Sequence, residues 1–211
     1  MTAGPTEEPI DEVRFIGNRS SGRLGIAIAD ALAALGAEVV LALGPVQSAL
    51  PSAWAGSVTV ERFRTAADLA SILRRELPAA HLVVMAAAVA DFRPRAFAGG
   101  KLRRGRAMTL ELEPVEDLLA TTAEFRRPEA RVVGFALEPA ERLESSAREK
   151  LARKSLDAIV ANPLETMNAP DIDATLYLRD GGARRAAPAG ERVPKEAFAR
   201  WLAGELLAHA P

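Results

Sequence analysis

Residues 18–22, Asn18-Arg19-Ser20-Ser21-Gly22, place an amide, a guanidinium, two hydroxyls and a glycine between an apolar run, Val13 to Gly17, and a helical pattern. Backbone N–H groups in such a loop, at the positive end of the helix that follows, form an anion site. The loop therefore fits a nucleotide or phosphate cradle. It has neither the Walker lysine nor the full three-glycine dinucleotide fingerprint, so a merely well-capped connection stays open beside it.

Three further groups of residues bear on that chemistry. Asp91 interrupts an apolar run at Val89-Ala90-Asp91-Phe92-Arg93-Pro94 and suits a ribose, a magnesium ion or a turn cap. Next come the cations Arg93, Arg95, Lys101, Arg103, Arg104 and Arg106 with no acid among them, and Gly99-Gly100 just ahead of Lys101. That segment is either a solvated connection or a lid whose ammonium closes over phosphates. Lys150 and Lys154 are four apart on a helical pattern and share a face, with Arg148 and Arg153 nearby. They form either a soluble helix face or a pair that neutralises a polyphosphate. The only imidazoles, His81 and His209, lie outside these groups, which argues against metal-hydrolase and Ser-His-Asp chemistry.

The elements that must position these residues alternate. Val13–Gly17 reads as an opening strand, and Leu24, Ile28, Ala31, Leu32 and Leu35 follow at helical spacing. Glu38–Gly44, Ser57–Phe63, Leu82–Ala88, Arg131–Ala136 and Asp157–Ala161 read as further buried strands. Between them lie helical patterns from Thr65, whose Asp68 three positions on makes a capping box, from Glu116 and from about Ala140 to Lys154. Met108–Leu112 reads as an exposed strand, Thr175–Arg179 as a late strand, and Lys195–His209 as a final helix. Residues 1–11 are polar, with Pro5 and Pro9, and are expected to form a flexible tail. The alternation predicts an α/β fold, a Rossmann-like, doubly wound and mainly parallel sheet. Ligands then bind beyond the carboxyl ends of the strands, where Asn18 to Gly22, Asp91, Glu138 and Asn162 fall.

Composition sets the limits. The chain has 211 residues, 49% hydrophobic and 26% charged, with a net charge of -1, so no basic excess marks a nucleic-acid or membrane-surface binder. There is no cysteine, which excludes thiolate ligands and disulfides. The first residues carry no apolar leader core, and the longest apolar run, Leu82 to Ala90, is too short for a bilayer, so a cytoplasmic protein is expected.

Several strings together resemble phosphopantothenoylcysteine synthetase, the phosphopantothenate-cysteine ligase, in its stand-alone form. They are Asn18-Arg19-Ser20-Ser21-Gly22, Gly44-Pro45-Val46, Ala86 through Pro94, Lys101-Leu102-Arg103-Arg104, Gly134-Phe135-Ala136 and Ala147 through Asp157. The resemblance runs in order from Val13 to about Arg179. It implies a ligase of coenzyme A biosynthesis that joins 4'-phosphopantothenate to L-cysteine through an acyl-nucleotide, using CTP or ATP with Mg2+. It implies that residues 12–211 form the nucleotide-binding ligase domain. A homodimer is implied through a strand-rich extension, with segments near 93–113 and 163–190, around Met108–Glu113 and Thr175–Arg179. A separate flavin-dependent decarboxylase is implied as partner, since this chain is too short to hold one and lacks its cysteine; no flavin is expected here.

By the same resemblance Ser20, Ser21 and Gly22 cradle the triphosphate and Lys101 stabilises the nucleotidyl-transfer transition state. Asn18 holds the acyl-nucleotide for attack by cysteine, Arg14 serves the same stage, and Ala88 matches a substrate position. Ala87, Asp91, Phe135, Lys150 and Lys154 match nucleotide positions. The chain departs from the family pattern at Gly17, at Glu113-Pro114-Val115, at Leu137-Glu138-Pro139 and through Asn162 to Asp173, and Arg103 and Arg104 stand where lysines are usual. These departures leave open a non-catalytic or altered-substrate relative. A nicotinamide-dependent oxidoreductase is a weaker reading, because the second strand ends in Gly44-Pro45 rather than an acid.

Overall fold

The structure is a computed structural model that describes residues 1–46, 48–105 and 107–208, so that Arg106 of the basic run and His209 lie outside the described residues. The chain enters its central sheet at once. Thr2–Ala3 (β1) is buried and pairs in parallel with residues 42 and 43. Residues 1–11 are therefore no tail, and the expectation from their polarity is corrected. Their polar side chains are buried acceptors for backbone N–H groups. Thr2 Oγ1 accepts from Ala87 N at 3.1 Å, Thr6 Oγ1 from Ala90 N at 3.0 Å and Glu8 Oε1 from Ala66 N at 2.8 Å. Hydropathy counts such residues as solvent-seeking, but a satisfied polar group is cheap to bury.

The opening apolar run is likewise reassigned. Glu7–Pro9 (β2) pairs antiparallel with Phe15–Gly17 (β3) in a separate ribbon, with Phe15 exposed, so this run is not the first core strand. The helix Arg23–Ala34 (α1) then crosses β1 very closely: a Cβ on Gly25 would lie 2.4 Å from Ala3 Cβ.

Val39–Leu43 (β4) and Val58–Arg62 (β5) follow, then Ala66–Glu76 (α2), which starts at the capping box expected of Thr65 and Asp68. After Leu82–Val84 (β6), Phe92–Pro94 (β7) and Leu112–Pro114 (β8) pair antiparallel as a second ribbon. The expected strand from Met108 thus begins only at Leu112. Leu118–Thr121 (α3), Arg131–Glu138 (β9), Leu143–Arg153 (α4) and Ala158–Pro163 (β10) complete the alternation. The last elements are Asp171–Ile172 (β11), Thr175–Leu178 (β12), Ala183–Arg185 (β13), Val193–Pro194 (β14) and Lys195–Ala208 (α5).

The sheet runs β5-β4-β1, and through the parallel Thr2–Met85 bridge continues as β6-β9-β10-β12-β13. The strands from β5 to β10 are parallel, and β12 and β13 return antiparallel along one edge. Apolar residues cover both faces, one under α1 and α5 around Ile28, Leu41, Phe198 and Leu202, the other under α2 and α4 around Leu69, Val83, Leu156 and Ile159. This is the doubly wound, mostly parallel architecture expected. The late strand expected from Thr175 is present within the 163–190 segment: Thr175–Leu178 pairs with Ala158–Ala161 and buries Leu176 and Tyr177, adding to the edge of the central sheet.

Candidate nucleotide-binding groove

The direction of strand addition reverses between β1 and β6, the position at which open α/β sheets form a ligand crevice. Past the Thr2–Met85 bridge the two strands are held by few bonds: Ala88 N donates to Gly4 O at 2.9 Å and Thr6 N to Ala88 O at 3.2 Å. The hydroxyls of Thr2 and Thr6 take up the N–H groups of Ala87 and Ala90 that a continuous ladder would have used. Sequence reasoning missed this role. The available signal was the pair of threonines flanking Ala3-Gly4-Pro5, a short strand followed by a turn.

The Asn18–Gly22 loop reaches this crevice. Asn18 Nδ2 donates to Ala88 O at 3.0 Å and to Val89 O at 3.2 Å, fixing the loop to the end of the β6 segment. Gly22 precedes α1 at φ 74°, and a Cβ there would lie 2.5 Å from Val46 Cγ1, so both conformation and space call for glycine. No side chain caps α1, and the hydroxyls of Ser20 and Ser21 accept from Gly22 N and Arg23 N only at 3.4 and 3.5 Å. With no acid in its first turn, the positive end of α1 faces the crevice uncompensated.

Two cavities meet there. The larger, about 570 Å³, is lined by residues 17–25, by Ala86–Ala88, Asp91, Phe135 and Asn162, and by Thr166, Met167, Asn168, Ile172 and Lys195. The smaller, about 410 Å³, takes in Asp117, Lys150, Arg153 and Lys154. Ala87, Ala88, Asp91 and Phe135 line both, so the two form one groove across the strand ends. Its combined size suits a nucleotide with a second substrate.

Most of the residues singled out in the sequence line this groove: Asn18, Ser20, Ser21, Gly22, Ala87, Ala88, Asp91, Phe135, Lys150 and Lys154. The two lysines are already paired. Lys150 Nζ lies 2.6 Å from Glu138 Oε1 and Lys154 Nζ 3.0 Å from Asp117 Oδ2. The Lys150 bond holds the Glu138 carboxyl below its ordinary value against the opposing effect of burial. Burial pushes the Asp117 carboxyl up, and the Lys154 ammonium together with the N–H groups of Leu119 and Ala120 more than reverses it. Glu138, expected at the strand ends, lines neither cavity and serves Lys150 instead. His81 lies at the start of β6 and its Nε2 faces Arg127 at 2.8 Å, away from the strand ends that form the groove.

Arg14 and Lys101 line neither cavity. Arg14 Nη2 donates to Leu102 O at 2.6 Å and meets Asp11 Oδ2 at 2.6 Å, while Leu102 N donates to the same Asp11 oxygen at 3.0 Å. Ala98 N donates to Ile10 O at 3.1 Å. The basic segment is thus tied to the first ribbon on both sides of Gly99-Gly100-Lys101, and Lys101 stays exposed at the unanchored tip. No Cβ on Gly99 or Gly100 would meet any atom within 4 Å, so the tip has room to move. Among the described residues no group of three or more His, Asp or Glu side chains is placed to hold a metal. Asp91 is the sole carboxylate among the residues lining the larger cavity, and Glu116 and Asp117 join it in the smaller.

Comparison with known proteins agrees with this geometry. Residues 1–209 match the model of the DNA/pantothenate metabolism flavoprotein C-terminal domain. A cysteine/cysteine sulfinic acid decarboxylase from an unknown prokaryotic organism is 45% identical over 166 residues, covering 78% of this chain and 45% of that protein. The coenzyme A biosynthesis bifunctional protein CoaBC of Bacillus subtilis is 40% identical over 189 residues, covering 87% of this chain and 45% of that protein. The chain spans under half the length of these curated relatives. A crystal structure of the C-terminal domain of CoaBC superposes with a TM-score of 0.76 at 33% identity, covering 98% of this chain and 90% of that one. This chain belongs to the DNA/pantothenate metabolism flavoprotein C-terminal domain family.

Proposed function

We propose that the chain is a phosphopantothenate-cysteine ligase of coenzyme A biosynthesis, activating the carboxylate of 4'-phosphopantothenate with CTP or ATP and passing the acyl group to the amine of L-cysteine. The observation that carries this reading is the single groove joining the open end of α1 to Asn18 at the sheet's switch point. A carboxylate is a poor electrophile, and nucleotidylation with loss of pyrophosphate makes it a good one. That step brings two anions together, which fixed donors and cations make tolerable. The Ser20–Gly22 loop and α1 supply backbone donors for the phosphates. Asn18, oriented by two carbonyls, presents its amide side chain to the acyl-nucleotide, and Lys150 and Lys154 border the nucleotide compartment.

Lys101 contributes only when its tip swings over the groove, and Arg14 with Asp11 anchors the base of that tip. Mg2+ would bind through the phosphates with Asp91 beside them, offsetting their charge. The exposed apolar residues Phe15, Phe92, Phe97, Met108 and Leu112 lie on the two ribbons and the basic segment, and we assign that face to a homodimer. Decarboxylation would belong to a separate flavoprotein or to a partner domain.

The test is pyrophosphate release by purified protein with Mg2+, 4'-phosphopantothenate, cysteine and either CTP or ATP. Release with one nucleotide, lost in Lys101→Gln and stalled at the acyl-nucleotide in Asn18→Asp, supports the ligase and identifies its nucleotide. Nucleotide binding without release in every combination would refute it in favour of a non-catalytic relative. Carbon dioxide released from cysteine or cysteine sulfinic acid by this chain alone would refute it in favour of the decarboxylase named among its relatives.

A further inference from the structure

Lys195, the first residue of α5, is 5% exposed and lines the larger cavity. A lysine is seldom buried without a partner that matches its charge. Here Nζ donates to a carbonyl, Thr166 O, at 3.1 Å. That bond uses one of its three protons. Thr166 itself is fixed, accepting from Asn162 Nδ2 at 2.7 Å and donating to Pro163 O at 2.7 Å. Lys195 N donates to Pro170 O at 3.0 Å, and Asp171 pairs with Pro194. The ammonium is thereby held where the segment after β10 borders the cavity.

The charges lining that cavity are unbalanced, with Arg19, Arg23 and Lys195 against Asp91 alone, and the uncapped end of α1 adds to the positive side. Burial and the nearby Arg23 lower the Lys195 pKa, opposed by Asp171 and Glu196. A folded protein tolerates such an arrangement where an anion completes it.

We propose that Lys195 is a phosphoryl-binding residue of the groove, its buried ammonium taking a phosphoryl oxygen of the ligand that occupies the larger cavity. The inference rests on the groove being the phosphate site of the proposed ligase. Its geometry leaves two sources for that phosphoryl group: the nucleotide triphosphate and the phosphate of 4'-phosphopantothenate.

Titration calorimetry of the wild type, Lys195→Gln and Lys195→Arg against CTP, CMP, tripolyphosphate, 4'-phosphopantothenate and pantothenate separates them. Gln keeps a donor for Thr166 O without the charge. It is expected to bind phosphorylated ligands from one source about 10- to 100-fold more weakly. Pantothenate binding stays unchanged, and Arg recovers most of the loss. Loss confined to CTP and tripolyphosphate assigns the nucleotide; loss confined to 4'-phosphopantothenate assigns the substrate. Equal weakening towards all ligands, pantothenate included, would overturn the proposal in favour of a purely positioning lysine. Unchanged affinities would overturn it while leaving the ligase reading intact. Absence of any phosphate-ligand binding by the wild type would overturn both. Should Lys195→Gln fail to fold, the Lys195 side-chain NMR signal of the wild type decides. It is expected to shift on adding tripolyphosphate or 4'-phosphopantothenate, and a signal that moves with neither refutes the role.

Discussion

Asn18 illustrates how one side chain links structure to chemistry. Its two N–H donors are spent on Ala88 O and Val89 O, so its orientation is set before any ligand arrives. Replacing it with Ala removes both bonds and the preorganised group, and the rate of pyrophosphate-coupled ligation is expected to fall about 100-fold while nucleotide affinity changes little. A matching loss of nucleotide affinity would show that Asn18 serves binding alone. Asp11 makes a pH-dependent counterpart. Burial pushes its carboxyl up, but N–H groups of Val13, Leu102 and Arg14, with the Arg14 guanidinium, bring it down from 3.8 to about 2. The folded state thus binds this proton less readily than the unfolded chain. The contribution is complete above the ordinary value of 3.8 and is lost as pH falls towards about 2. Protection of the Leu102 amide from hydrogen exchange is expected to collapse across that window in the wild type and to be low throughout in Asp11→Asn.

Among the elements, α1 depends on a single residue for its place on the sheet. Its first turn can point into the groove only because Gly25 lets it lie against β1, with no space between a Cβ and Ala3. Gly25→Ala gains helix propensity but forces α1 and β1 apart, which is expected to cost about 1–3 kcal/mol of stability. It is also expected to shift the Ser20–Gly22 loop, so that under the proposed function nucleotide binding weakens beyond the loss of stability. Thermal unfolding and a nucleotide titration on the same sample check both parts, and a more stable variant with unchanged affinity would contradict the account. The capping box at the start of α2 shows the opposite case. There Thr65 and Asp68 satisfy each other locally, and the element was legible from four residues.

At the scale of the whole molecule, the two ribbons leave Phe15, Phe92, Phe97, Met108 and Leu112 exposed beside the basic segment. Exposed apolar side chains gathered on these adjoining segments fit an interface between copies. Light scattering is expected to give twice the chain mass for the wild type and the single-chain mass for Phe92→Glu with Phe97→Glu. Because Phe97 stands four residues ahead of Lys101, the monomer is also expected to ligate more slowly at saturating substrate. A wild type that is monomeric at every concentration would remove this face from the mechanism.

Periodicity and composition by themselves determined the alternation of strands and helices, the doubly wound class, and the placing of a Ser/Gly loop directly ahead of a helix. Those signals are local: the length of an apolar run, a capping residue, a glycine before a helical pattern. What only the tertiary structure decided was long-range pairing. Residues 1–11 look solvated because Thr2, Thr6, Glu8 and Asp11 are polar, and the backbone donors of Ala87, Ala90, Ala66 and Leu102, distant in sequence, help make their burial favourable. Val13–Gly17 left its expected place in the core for a separate ribbon, because hydropathy does not say which strand lies alongside. Lys195, at the start of the last helix, lines the same cavity as the Ser20–Gly22 loop only because α1 and α5 cover the same face of the sheet.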